Sequence, residues 1–268
     1  NYLEKTFLED QDNLDLLSVP FNVEIKNPIA VPINLAMSCQ FEQGSGTDKK
    51  IVPGYILYGQ QTEAVYTLSL DRSDTMTRTC VPSEMINGSW YMNINLSISD
   101  IVSYSYLNRL FVHQWDEKDE TLQDALSNLD STSTGANELA RLNFAIGDPM
   151  DQKFIESEDF LTFQASVENV GDGKVKRVSS YFIDSSDVID YFQSDCTEKY
   201  DMSVPNLANN YYTLSHCTAQ VSSGFKSRLE TSASVEPYII YTFEGMITYD
   251  YELSDKKKVK YNAVKVRE

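Results

Sequence analysis

The sequence predicts an all-β chain: two tandem antiparallel β-sandwich domains of the immunoglobulin-like kind, each with one disulfide. Three observations predict it. Short segments of alternating apolar and polar residues recur along 268 residues, separated by turn residues and without a βαβ rhythm. Tyr (17) and Phe (12) are abundant, and aromatic side chains suit a pleated, half-buried surface. The four cysteines stand two in each half. The chain is too long for one sandwich of about 100 residues and accommodates two.

Residues 1–19 are acidic, and Leu3, Phe7, Leu8, Leu14, Leu16 and Leu17 fall at neither helical nor alternating spacing. They read as a linker from an upstream region or as an arm that docks on a neighbouring subunit. The first domain spans 20–115. Phe21, Val23 and Ile25 alternate and stop at the turn signal Asn27-Pro28. IAVPINLAMSCQF follows as a strand ending near Cys39. QGSGTDKK is a polar loop, VPGYILYG and TEAVYTLSL are strands, and TMTRTCV carries Cys80. WYMNINLSIS is the cleanest strand. Trp90, Met92, Ile94, Leu96 and Ile98 point one way; Tyr91, Asn93, Asn95, Ser97 and Ser99 point the other. Such period-two patterning places one face on a core and the other in water. IVSYSYLNRLFVHQW continues as one or two more strands.

Residues 116–138 are acidic, small and Ser/Thr-rich, with TLQDALSNL able to form a short helical turn. They read as the inter-domain linker. The second domain spans 139–268. LARLNFAIGDP is a strand closing on Gly147-Asp148-Pro149. A strand from Phe160, a turn at Gly171-Asp172-Gly173 and a return from Val175 read as a hairpin. Cys196 lies beyond DVIDYFQSD, and YYTLSHCTAQV carries Cys217. PYIIYTFEGMITYDYEL and VKYNAVKVRE are closing strands joined by SDKKK.

Four cysteines allow three pairings. Their separation into halves favours Cys39–Cys80 and Cys196–Cys217, each stabilising its domain by about 2–4 kcal/mol. The alternative is four buried thiols in a reducing compartment. No CxxC pair or His cluster points to zinc. With the disulfides, the chain is expected outside the cell or on its surface.

FQASVENVGDGKV resembles the CARDB-like and related immunoglobulin-like domains of archaeal and bacterial surface proteins, which show a strand ending in Asn-x-Gly, a turn and a returning Val-rich strand. The matching residues are Asn169, Gly171, Gly173 and Val175. The resemblance covers roughly residues 139–268, including the Cys196…Cys217 pair and the aromatic strand TYDYEL, and the first domain shares its style. It implies a spacer, adhesin or assembly subunit without a catalytic set.

Charge narrows the function classes. Forty acidic residues against 22 basic give a net −18, which repels phosphate backbones and argues against nucleic acid. The one basic cluster, Lys256, Lys257, Lys258, Lys260, Lys265 and Arg267, reads as a solvated hairpin edge protected by lysine. No apolar run of about 18 residues spans a membrane. NYLEKTFLED has neither a basic n-region nor an apolar h-region, as expected of a mature or trimmed chain.

Little chemistry is visible. His113 and His216 are the two histidines, and neither lies in a nucleophile signature. His216 and Cys217 are strand neighbours facing opposite ways, so they do not form a couple. Glycosidase carboxylates cannot be singled out among forty acids. Calcium is the one cofactor the acidic loops admit, at Asp184, Asp187 and Asp190, or at Asp116, Glu117, Asp119 and Glu120, though neither run matches an EF-hand. Asn87-Gly88-Ser89 and Asn95-Leu96-Ser97 are N-glycosylation sequons. The expectation is a non-enzymatic structural subunit of a cell-surface filament, sheath, surface layer or virion coat, self-associating into a homopolymer or lattice through strand edges or the N-terminal arm. An adhesin or carbohydrate-binding module is the alternative, and exposed aromatic residues on one patch would favour it.

Overall fold

The computed structural model describes residues 3–8, 17–25, 32–59, 61–70, 74–129, 134–135, 139–147, 153–156, 160–185, 187–192, 198–203, 211–232 and 236–264. In chain order the strands are β1 (Leu3–Leu8), β2 (Val19–Ile25), β3 (Ile33–Gln43), β4 (Lys50–Tyr58), β5 (Gln61–Glu63), β6 (Val65–Leu70), β7 (Asp74–Pro82), β8 (Gly88–Val112), β9 (Thr134–Gly135), β10 (Ala140–Ile146), β11 (Phe154–Glu156), β12 (Phe160–Asn169), β13 (Lys174–Asp184), β14 (Ile189–Phe192), β15 (Glu198–Ser203), β16 (Tyr211–Val221) and β17 (Tyr238–Val264). Two short helices accompany them, α1 (Glu120–Asn128) and α2 (Ser223–Ser232). The protein is mostly β, as its composition predicts. Among the described residues no helix is long and apolar enough to cross a membrane.

The chain divides into two compact units, Asn1–Asp100 with Glu252–Glu268, and Ile101–Tyr251. This differs from the expected 20–115 and 139–268. The division falls inside β8 and β17, and the expected linker at 116–138 lies within the second unit, where it carries α1. The reason is visible in β8. Nothing between Trp90 and Val112 is Gly or Pro, so the strand does not break; its alternation changes phase instead. Trp90, Met92 and Ile98 are buried, then Ile101, Ser103, Ser105 and Leu107. The change occurs at Asp100, the one described non-glycine residue with positive φ, at 57°. Similarly, SDKKK is not a turn: lacking Gly, Pro or Asn, it runs extended within β17.

In the first unit, β3 pairs antiparallel with β8 from Asn34↔Ser99 to Glu42↔Tyr91. The other edge of β3 is shared. Ile33–Ser38 pair with β6 and Gln40–Gln43 with β4. β4 in turn leaves β3 after Pro53 and pairs with β7 from Gly54 onward. Strands that switch partners this way turn the corners of packed sheets. Gly54 sits at the switch, beneath the predicted Cys39–Cys80 disulfide joining β3 to β7. Met37, Phe41, Ile56, Met92 and Tyr261 fill the core, each worth roughly 1.5–3 kcal/mol of burial.

In the second unit, β10-β12-β16-β14 form one antiparallel sheet. β15-β13-β17-β8 form another, with β9 and β11 also on β8. The sheets meet through Phe163 of β12 and Phe243 of β17, their rings 6.0 Å apart and edge-to-face. The expected hairpin at 160–183 is corrected. Its strands and turn are where the sequence places them, but β12 and β13 belong to different sheets. The turn is held across the sandwich: the Asn169 amide donates to the Gly173 carbonyl at 2.8 Å, and the Gly173 N–H donates to the Tyr251 hydroxyl at 2.6 Å. Cys217 is also disulfide-bonded, and its expected partner Cys196 lies outside the described residues. α2 was not expected; Phe225 and Leu229, one helical turn apart, anchor it.

Candidate assembly site

Strands β1 and β17 meet in the first unit. β1 lies parallel to β17, in register from Leu3↔Val259 to Leu8↔Val264. Leu3–Leu8, within the expected linker or arm, is thus a strand paired within its own chain. Beyond it, Leu17 is fully buried, and its carbonyl accepts the Tyr261 hydroxyl at 2.9 Å. Tyr261 is buried too, edge-to-face with Phe41 at 6.2 Å. Burial pushes its phenol well above the usual range, so it donates at any physiological pH. Alternating residues Val259 and Tyr261 face this core, which sets the register of β17.

Lysine holds the same strand a few residues earlier. Lys256 donates to Glu42 of β3 at 3.1 Å, and Lys49 reaches Glu42 at 2.6 Å. Lys256 also lies over the Tyr91 ring, 4.7 Å from its centroid. Burial raises the Glu42 carboxyl, but hydrogen bonds from Lys49, Asn93 and Lys256 outweigh it and hold the pKa at about 2. Lys257 and Lys258 beside it are exposed, on an unbroken strand and not at the expected hairpin.

Other sequence candidates do not converge. Asn87 is exposed just before β8; its side chain accepts the Gly88 N–H and its carbonyl accepts the Trp90 indole, both at 2.8 Å. Asn95 is half-buried in mid-ladder opposite Ser38. Asp184 and Asp187 are exposed, while Asp190 accepts the Ser223 N–H at 3.1 Å at the start of α2. Asp116 accepts the Lys118 N–H in a turn, and Asp119 caps α1. Among the described residues no group of three His, Cys, Asp or Glu gathers as a metal would need. His113 is exposed past β8, and His216 is exposed on β16 opposite Gln164. The β1–β17 pairing escaped sequence reading because the apolar residues of 1–19 carry no periodicity and parallel partners lie far apart in the chain.

No protein-family model matches the chain, and no curated protein is similar to it.

Proposed function

We propose that the chain is a non-enzymatic structural subunit of an extracellular surface assembly, such as a filament, sheath, surface layer or virion coat, and that copies join by exchanging β1. The observation that carries this reading is the parallel seam of β1 on β17. A strand added to an edge makes the same backbone hydrogen bonds whether it comes from its own chain or the next. Donated onward, it forms a head-to-tail contact, which generates filaments when it does not close. The disulfide suits an oxidising compartment.

The second unit supports an immunoglobulin-like reading. Its β10-β12-β16-β14 sheet has the strand order A-B-E-D, and β13 and β17 stand for C and F. β8, which precedes all of these in the chain, lies where strand G would. The switching strands of the first unit do not follow that order, so we extend the reading to the second unit alone.

Thr6 and Asn262 are register partners. The variant carrying Thr6→Cys and Asn262→Cys, oxidised within native assemblies and run without reductant, is expected to give a ladder of covalent oligomers. Crosslinks confined to single chains would overturn exchange. A chain lacking residues 1–8 that still assembles under electron microscopy would overturn the role of β1.

A further inference from the structure

The second unit carries a groove of about 830 Å³ between α1 and the outer face of its β8–β17 ribbon. The groove is built by local rules. Asp119 caps α1, accepting the N–H groups of Thr121 at 2.9 Å and Leu122 at 3.3 Å. Leu122 and, just beyond the helix, Leu129 pack on Leu110 and Val112 at the end of β8. That fixes the helix's apolar stripe downward and leaves Glu120, Asp124 and Asn128, at i, i+4 and i+8, lining the groove as one wall. The floor is Asn108 of β8 with Ile240 and Thr242 of β17, the Thr242 hydroxyl donating to the Asn108 side-chain oxygen Oδ1 at 2.7 Å.

The strand extends this floor. Ser103, Ser105, Leu107 and Arg109 point inward, so Tyr104 and Tyr106 share the outer face with Asn108. They are 41% and 40% exposed. At roughly 3.3 Å per residue, Tyr106 stands about 7 Å and Tyr104 about 13 Å along the strand from Asn108. A second groove of about 710 Å³ runs along α2 and shares Ile240 with the first.

We infer that the first groove, together with Tyr104 and Tyr106, binds an uncharged oligosaccharide. A sugar ring offers an apolar face and a rim of hydroxyls. Exposed tyrosine rings take the face. The carboxylates of Glu120 and Asp124 accept from hydroxyls, and the amides and hydroxyls of Asn128, Asn108 and Thr121 both donate and accept. Anionic glycans are disfavoured, because residues 101–251 hold 24 acidic against 10 basic residues. A lysine-rich peptide would satisfy the two carboxylates but leave the neutral groups, which outnumber them, and both tyrosine faces without a use. The site stands independently of strand exchange.

The test is calorimetric titration of the full chain with neutral gluco-, manno- and galacto-oligosaccharides, and with oligolysine. At least one neutral sugar is expected to bind. Tyr106→Ala and Tyr104→Ala, checked for unchanged melting, should each weaken it tenfold or more, while Tyr58→Ala, an exposed tyrosine of the first unit, should not. The inference is overturned if no neutral sugar binds at millimolar concentration, if binding ignores both tyrosines, or if oligolysine alone binds.

Discussion

Gly54 lies directly beneath Cys39: a Cβ at Gly54 would stand 2.7 Å from the Cys39 sulfur and 2.8 Å from that of Cys80. The glycine is there so that β4 can pass under the disulfide as it changes partners. Gly54→Ala is expected to destabilise the protein by about 1–3 kcal/mol, the usual cost of overpacking a core. The cystine spans 41 residues of sequence, and losing it costs about 3–4 kcal/mol by chain entropy. In a background of Cys39→Ala and Cys80→Ala the space opens, so Gly54→Ala should cost less than it does alone. A double-mutant cycle in urea measures this coupling; strictly additive effects would contradict the packing described.

Glu42 sets an acid limb of stability. Its carboxyl falls from 4.5 to about 2 on folding. A lowered folded-state pKa contributes stability that is complete above the unfolded value and is lost as pH falls toward 2. Lys49 and Lys256 are 39% and 52% exposed, so solvent screening leaves on the order of 1–2 kcal/mol. Thermal melts should show the protein more stable than Glu42→Gln at neutral pH, the difference shrinking from about pH 5 downward. A gap that stays constant down to pH 2 would remove the ion pairs from the account.

Tyr251→Phe should cost about 1–3 kcal/mol, because it leaves the half-buried Gly173 N–H of the turn without its partner. Tyr249→Phe should behave alike, since the Ala140 N–H donates to its hydroxyl at 3.2 Å. Hydrogen exchange is the sharper readout: the Gly173 and Ala140 amides should lose protection in the respective variants. Unchanged protection at both would show that the hydroxyls are not the partners.

Asn87 should carry glycan in preference to Asn95. The first is exposed before a strand, whereas the second sits inside a continuous ladder facing Ser38. Glycopeptide mapping of native material reads this directly, and occupancy at Asn95 alone would reverse it.

The fold class was legible because alternation is a local signal. Trp90 and Met92 are buried where the pattern puts them, and the first cysteine pair is bonded as its placement suggested. Pairing was less legible. The Asn169–Gly173 turn has the chemistry of a hairpin, yet whether two strands share a sheet depends on what their faces bury, and here Tyr251 draws the turn across. The unit boundary was hidden because it is a change of phase at Asp100, not a break. The groove was unreadable in sequence, since Tyr106, Asp124 and Thr242 come together only through pairing of β8 with β17 and the docking of α1.

The first unit is discontinuous, made of Asn1–Asp100 and Glu252–Glu268. During synthesis every residue of Ile101–Tyr251 leaves the ribosome before Val259 and Tyr261, in the last part of β17. The usual vectorial order, N-terminal body first, is therefore inverted. The intervening unit matures while the opening hundred residues wait with their core unsealed, and β1 finds no β17 edge to lie on until translation has run past Val264.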